Sequence, residues 1–420
     1  MSTYDKFKSE MVAGGAVEER LEDEMAGGWR GAVGVFGIVA LLAWLGFTNI
    51  WWFAFVVGVL IAVFLHELGH FMTARWTGMK TTQFFIGFGP RLWSFKRGET
   101  EYGVRALPLG AFVRIVGMNS MDDVAEAEEA RTYRAQSYPK RMLVITAGSL
   151  MHLIIAIGLL FTVYITAGET VLRDGAQISA VEPSGSAASA GLRLDDVVLA
   201  VDGRSISGPV EFGEVIRSNA PGDVVMVDIL RDGSNLTIAL GLGANIDESS
   251  PLFGQPYVGI ASGSRFENID HSIASAAVNS VTDIFPVAWE STKGVVKVLN
   301  PVNVLGHLTG SNDDLTTRPT TLVGVTGLSD DVGRAQGFTG ILYLLAVLNV
   351  FVGVFNMFPL LPLDGGHAAI ATYERTRERK GNRHYADVSK LMPFAMGVIV
   401  ILLFLFMSGL YLDITDPLGF

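Results

Sequence analysis

Apolar residues are gathered into long blocks with charged ground between them. The first block runs through residues 31–65 with no Asp, Glu, Lys or Arg. As one helix it would measure about 52 Å, against a hydrocarbon core of about 30 Å. A break at Gly46-Phe47-Thr48-Asn49, flanked by Trp44, Trp51 and Trp52, divides it into two spans with an aromatic belt at one interface. A single span preceded by an interfacial segment is the alternative. Residues 142–167, 341–361 and 391–412 are further apolar blocks, each long enough for one span. Between the second and third lies a polar stretch, residues 168–337. There, alternating residues and turn dipeptides such as Asp202-Gly203 and Asp232-Gly233 predict strands.

Charge gives these blocks a direction. Residues 75–141 carry eleven Lys and Arg, and residues 373–390 are again basic. Both loops are therefore expected in the cytosol, and the polar stretch 168–337 outside it. Residues 1–30 are acidic where a secretory signal would be basic, and read as a cytosolic tail. With 50% hydrophobic and 17% charged residues and a mean hydropathy of +0.39, the chain is a multi-pass membrane protein by composition. The net charge of −11 comes without a basic, aromatic-studded face, which excludes nucleic acid as a partner. The absence of Cys excludes disulfides, thiolate metal ligands and a cysteine nucleophile.

Two stretches carry chemistry. His66-Glu67-Leu68-Gly69-His70 ends the first apolar block. On a helix, residues four apart share a face, so His66 and His70 can address one metal ion, with Glu67 beside them as a base. Ionisable residues in an apolar span are costly and point to function. A catalytic zinc takes three protein ligands and keeps one position open. Asp364, in Asn356-Met357-Phe358-Pro359-Leu360-Leu361-Pro362-Leu363-Asp364-Gly365-Gly366-His367 at the end of another apolar block, is the expected third. His367 is not expected to bind, and His271 and His307 are expected to be exposed and inert.

Together, HExxH and the distant NxxPxxPLDG resemble the site-2 protease family of intramembrane zinc metalloproteases, of the bacterial type that carries a PDZ domain and regulates sigma factors. The resemblance implies a multi-pass α-helical membrane protein with membrane-associated β-hairpins and one extracytoplasmic PDZ-like α/β domain. It implies one Zn2+ held by His66, His70 and Asp364, with Glu67 as the catalytic base. Gly87-Phe88-Gly89-Pro90 and the stretch from Glu101 through Tyr102 and Val104 to Gly110 resemble the family's membrane-dipping sheet, whose edge pairs with substrate. Gly87, Gly89, Tyr102 and Val104 are the implied substrate-binding residues there, joined by Asn356 and Pro359. A plain cytosolic hairpin is the alternative. The chain departs from the family at Ala111, where a second Gly is usual, and in Gly148-Ser149-Leu150-Met151-His152, where Gly-Pro-x-x-Asn is usual. His152 is read as a second-shell hydrogen-bonding residue, with direct ligation or a purely local role as alternatives. Residues 178–206 resemble a bacterial PDZ domain, and Tyr257-Val258-Gly259-Ile260 its carboxylate-binding loop. A PDZ that only blocks access sterically stays open.

The expected order is thus a tail (1–30), membrane helices with HExxH (31–74, the catalytic helix from about 50), a cytosolic basic loop with hairpins (75–141) and a span (142–167). The PDZ-like domain (168–262), a helical or linker region (263–337), the NxxPxxPLDG span (338–371), a basic segment (372–390) and a last span (391–412) follow. The implied activity is hydrolysis of a peptide bond in or near the span of a pre-trimmed single-span protein, such as an anti-sigma factor or signal-peptide remnant. The implied partners are that substrate, an upstream site-1-type protease and the lipid bilayer of the cell membrane, with the metal nearer the cytosolic side. Two rivals remain. One is a membrane HExxH peptidase with a Glu third ligand, for which Glu290 and Glu374 are the candidates. The other is a PDZ-bearing membrane scaffold with an inactive site.

Overall fold

The structure is a computed structural model that describes residues 29–118, 124–249, 251–379 and 384–418. The acidic tail expected at 1–30 falls almost wholly outside the described residues. The chain divides into two compact units, one of residues Ala167–His271 and the other of the chain before and after it.

In the larger unit, helix α1 (Trp29–Thr48) is followed at once by α2 (Ile50–Trp76). The break falls at Asn49, whose side-chain oxygen accepts hydrogen bonds from the N–H groups of Trp51 and Trp52. That is N-capping, and it lets a new helix start inside an uncharged run. Strands β1 (Thr81–Arg97) and β2 (Thr100–Ile115) come next. Their register is more than a hairpin. Gln83 lies opposite both Arg114 and Glu101, Phe84 opposite both Val113 and Tyr102, and Ile86 opposite both Ala111 and Val104. Residues 93–97 pair with 100–104 as well. The two long strands therefore double back into a four-segment sheet in the order 91–97, 101–104, 81–86, 111–115. Aromatic contacts of Phe71 with Phe84 and Tyr102, and of Phe64 with Phe84, fix this sheet to α2. Helix α3 (Tyr138–Thr166) closes this half of the unit.

The smaller unit holds β3 (Glu169–Val181), α4 (Ser186–Ala190), β4 (Val197–Val201), β5 (Arg204–Ser205), α5 (Pro209–Arg217), β6 (Val224–Arg231), β7 (Ser234–Gly241), β8 (Gly243–Ala244), β9 (Pro256–Tyr257) and β10 (Ile260–Ile269). The main sheet runs β10-β3-β4-β6-β7, with β5 paired to β4. Its core contains Ile178, Val198, Val201, Ile206, Ile229 and Leu240, alternating inward residues of a half-buried sheet. The unit ends at His271 rather than near 262, because β10 goes on pairing with β3 until Ile269 meets Glu169.

The larger unit resumes with α6 (Ile273–Thr282), α7 (Ile284–Val298), α8 (Pro301–Thr309) and α9 (Leu322–Asn356). The 35-residue α9 is interrupted at Gly337, where φ is 66° and ψ −154°. It therefore takes in both the end of the expected linker and the expected span. After a turn with a cis Leu361–Pro362 peptide come α10 (Asp364–Arg377) and α11 (Val388–Thr415). Among the described residues, five helices are long and apolar enough to cross a membrane: Gly31–Thr48, Ile50–Trp76, Tyr138–Thr166, Leu322–Asn356 and Lys390–Thr415. Phe36, Phe47, Ile154, Val400, Leu403 and Phe406 point outward on these helices, as side chains facing lipid do. The inner faces of α3 and α9 meet around Ala156, Leu160, Ala346 and Val350.

Candidate metal centre

His66 and His70 lie one turn apart on α2, with their Nε2 atoms 3.2 Å from each other. Asp364 is the first residue of α10, and its Oδ2 lies 3.5 Å from His66 Nε2 and 3.3 Å from His70 Nε2. What brings Asp364 there is close packing. A Cβ on Gly365 would stand 2.2 Å from the Phe358 carbonyl oxygen, and one on Gly366 would stand 2.7 Å from the Leu361 nitrogen. Only glycines let the turn of residues 357–363 fold back onto the start of α10.

The three donor atoms form a triangle with edges of 3.2–3.5 Å. Tetrahedral zinc with bonds of about 2.0–2.1 Å spaces its ligands roughly 3.3 Å apart. The donor set therefore fits zinc in both geometry and chemistry. Two further observations agree. Asp364 Oδ2 is buried with no hydrogen-bond partner, so it lacks a reason to be there without a cation. His70 Nδ1 is 2.7 Å from the Val144 carbonyl oxygen. Donating its proton to that oxygen leaves the Nε2 lone pair for a metal. Among the described residues, this is the one group of three such side chains close enough to share an ion.

Helix α3 forms the wall of the site. A Cβ on Gly148 would stand 2.4 Å from both His66 Cε1 and His70 Nε2, so glycine leaves the hollow that the imidazoles occupy. Glu67 Oε1 is 3.9 Å from His66 Nε2, and the backbone N–H of Val113, on the edge segment of the four-segment sheet, lies near the Glu67 carboxylate. His152 is buried, its ring centroid 4.9 Å from that of His66. Its Nδ1 lies 2.8 Å from Asn349 Oδ1, and Asn349 Nδ2 donates to the Leu345 carbonyl. The second bond fixes which way the Asn349 amide faces. His152 Nδ1 is therefore the donor, and its Nε2 is left free of that proton.

The other expected residues are spread around this centre. Asn356 ends α9 half-buried, and Pro359 stands exposed in the turn that follows. Gly87 and Gly89 lie in β1 with φ of 90° and 77°, and the Gly89 carbonyl accepts from Arg105. Tyr102 stacks on Phe95, and Val104 lies opposite Ile86 and Trp93. In the smaller unit, Val258 is buried, Gly259 has a φ of 74°, and Ile260 opens β10, an outer strand of its sheet. Tyr257 Oη is 3.5 Å from Glu182 Oε2. His271 and His307, expected to be exposed, are half-buried and hydrogen-bonded to Glu169 and Thr317, at 2.9 Å each. Sequence reading did not anticipate Asn349, the Val144 carbonyl, Gly148 or the Val113 amide. Asn349 had a signal, as a polar residue two turns before Asn356 in an apolar run. Neither rival third ligand reaches the centre, since Glu374 is paired with Arg141 at 2.6 Å and Glu290 with Lys293 at 2.5 Å.

Known proteins agree on the chemistry. Zinc metalloprotease Rip1 of Mycobacterium tuberculosis is 30% identical over 398 residues, 87% of this chain and 97% of that protein. Its counterpart in Mycolicibacterium smegmatis is 28% identical over 402 residues, with the same coverage. Among solved structures, the PDZ domain of an SdrC-like protein from Listeria monocytogenes is 28% identical, covering 22% of this chain and 90% of its own, with a TM-score of 0.20. The model of peptidase family M50 matches residues 54–400, and with that match the chain belongs to peptidase family M50, the site-2 protease family, as a zinc metalloprotease.

Proposed function

We propose that the chain hydrolyses a peptide bond in or near the membrane segment of a single-span protein whose outer part has already been removed. The observation that carries this reading is the convergence of His66, His70 and Asp364, with Glu67 beside them, on helices apolar enough to lie in a bilayer. His66, His70 and Asp364 would hold the zinc. Zinc supplies Lewis acidity there, making a water acidic near neutral pH and polarising the carbonyl to be attacked. Glu67 takes the proton of the attacking water and hands it to the leaving amine. The Val144 carbonyl orients His70, and the Val113 N–H would favour the charged form of Glu67.

A peptide bond inside a helix is shielded, so the substrate must be unwound before attack. The edge segment 111–115 ends beside Glu67 and can hold an unwound strand by backbone hydrogen bonds. Gly87, Gly89, Tyr102 and Val104 shape the rest of that sheet. Asn356 and Pro359 would meet the substrate backbone from the other side, and His152 would offer Nε2 as a hydrogen-bond acceptor at the centre. The PDZ-like unit, through Tyr257, Val258, Gly259 and Ile260 beside the outer strand β10, would select the trimmed form made by an upstream site-1-type protease. An anti-sigma factor or a signal-peptide remnant fits that description. The basic segments at 75–141 and 373–390 support a reading with the PDZ-like unit on the outer side of the cell membrane and the metal toward the cytosolic side.

The test is cleavage of a detergent-solubilised single-span substrate, outer domain intact or removed, with zinc measured alongside. Glu67→Gln is expected to keep zinc and lose cleavage. Turnover by that variant would remove Glu67 as the base. Asp364→Ala is expected to lose zinc, and full occupancy would strike Asp364 from the ligands.

A further inference from the structure

The two histidines of the centre are not held alike. Helices α2 and α3 meet in opposite directions, so that Val144 faces His70 and His152 faces His66. His70 Nδ1 has the Val144 carbonyl oxygen at 2.7 Å. His66 Nδ1 is buried and has no hydrogen-bond partner. A neutral ring that offers Nε2 to a metal carries its proton on Nδ1. Metal-binding histidines nearly always give that second N–H to an acceptor, which fixes both tautomer and ring angle.

An acceptor stands ready beside it. His152 is 3% exposed, and its ring centroid lies 4.9 Å from that of His66 with the planes 43° apart. At that separation, turning either ring brings two nitrogens within hydrogen-bond reach. What His152 can offer is set from behind. Asn349 Nδ2 donates to the Leu345 carbonyl at 2.8 Å, which leaves Asn349 Oδ1 to accept from His152 Nδ1, also at 2.8 Å. The proton of neutral His152 therefore sits on Nδ1, and Nε2 is an acceptor. Gly353, one turn after Asn349 on α9, allows this approach of the two helices. A Cβ there would stand 3.2 Å from His152 Cβ and 3.3 Å from the Ser149 carbonyl oxygen.

We propose that His152 Nε2 accepts the Nδ1–H of His66 once zinc is bound, with Asn349 holding His152 in the tautomer that allows it. His152 and Asn349 are then positioning residues for the metal. Each link has one donor and one acceptor, from His66 through His152 and Asn349 to the Leu345 carbonyl. No charge is added to the apolar helices, and the series ends on the backbone of α9. The rival acceptor for His66 is the Gly148 carbonyl, which also lies beside that ring.

This inference rests on the reading of His66, His70 and Asp364 as zinc ligands and on nothing about the substrate, so it is tested by metal affinity. The full chain in detergent is stripped of metal. Its zinc affinity is then measured by competition with a chromophoric chelator, and the unfolding midpoint of the metal-free protein is followed alongside. His152→Phe keeps a flat ring and removes the acceptor, and is expected to weaken zinc binding about ten- to a hundredfold. His152→Gln places an amide oxygen near the position of Nε2 and is expected to recover most of that loss. Asn349→Leu is expected to cost about fivefold, as one neutral hydrogen bond does, and to cost nothing further in the His152→Phe background. That pattern, in variants whose metal-free midpoints show them folded, supports the pair as positioning residues. Natural zinc affinity in His152→Phe, as the Gly148 carbonyl or a His152 turned to substrate would give, overturns the inference and leaves the ligand set standing. Equal losses in the Phe and Gln variants, or an Asn349→Leu effect that persists without the imidazole, assign the loss to packing and overturn it as well. A natural chain that binds no zinc overturns the ligand set and the inference together.

Discussion

Replacing Gly148 with Ala tests the metal centre through the space its two histidines need. A methyl group at position 148 would stand 2.4 Å from His66 Cε1, 2.4 Å from His70 Nε2 and 2.6 Å from His66 Nε2. Ordinary contact begins near 3.4 Å, so the rings must retreat by about 1 Å. They have little room to do so, because His70 is held to Val144 by a 2.7 Å hydrogen bond and both histidines are buried. The displaced atoms are the Nε2 donors themselves. A shift of about 1 Å at such a site costs on the order of 10²-fold in rate, and here it also breaks ligand spacing matched to zinc. Ala is favoured over Gly by about 1 kcal/mol in a helix interior, which offsets part of an overpacking cost of about 1–3 kcal/mol. The expected result is an unfolding midpoint that falls only modestly, zinc well below one ion per chain, and cleavage reduced at least a hundredfold. Gly158→Ala is the control, because a Cβ there meets nothing within 4 Å. One zinc per chain and natural turnover in Gly148→Ala would refute the reasoning, for the methyl would then have found space that the geometry denies it.

Two further predictions concern stability. Asp413, buried near the end of α11, accepts hydrogen bonds from Thr321 N, Thr321 Oγ1 and Gly324 N at the start of α9, and lies 3.9 Å from the buried Arg318. Asp413→Ala removes these bonds and the carboxylate facing buried Arg318, which keeps only the Asp416 carbonyl, and should destabilise the larger unit by about 3 kcal/mol, read as a lower unfolding midpoint in detergent. An unchanged midpoint would contradict this. In the smaller unit, burial opposes the charge of Asp196, but bonds from Arg231 and the Arg193 N–H outweigh it and hold the carboxyl below the usual range. Because the folded pKa lies below the unfolded one, the unfolded state binds more protons in acid. The stability Asp196 provides is present above about pH 4 and is lost as the pH falls through its folded value. Once the slower intrinsic exchange at low pH is divided out, the hydrogen-exchange protection of residues 167–271 in the full chain should therefore fall in acid, and Asp196→Asn should flatten that dependence. The same acid response in the variant would assign it to another group.

What could be read from the sequence was whatever depends on spacing along one element. His66 and His70 share a helix face by arithmetic, and Asp364 stood out as a carboxylate at the end of an apolar block. The break at Asn49 was legible because a capping residue stood among tryptophans. What could not be read were contributions from backbone atoms and from pairings distant in the chain. The Val144 carbonyl and the Val113 N–H belong to residues whose side chains say nothing about them. Gly148 looked like any glycine in a membrane helix until its distance to the two rings was known. The sheet resembled hairpins because local alternation cannot reveal that residues 83–86 pair on both sides. His271 and His307 were misjudged as exposed for the same reason, since their partners are fixed by folding.

The proposed centre also explains how so polar a group can stand among apolar helices. Two carboxylates, Asp364 and Glu67, face one divalent cation, so the cluster as a whole can be neutral while each member is charged. Its remaining polar needs are met mostly by backbone groups and by the neutral amide of Asn349, which bring no further charge into the low-dielectric region. The same arrangement explains why α3 contributes a glycine, a carbonyl and a histidine but no carboxylate. A third acidic group on that face would leave the centre with net charge in the bilayer. Arg141, the one cation on that face, lies at the polar end and is answered by Glu374. Charge on α3 is thus confined to its polar end, where a carboxylate answers it, and the inner part of the helix supplies shape.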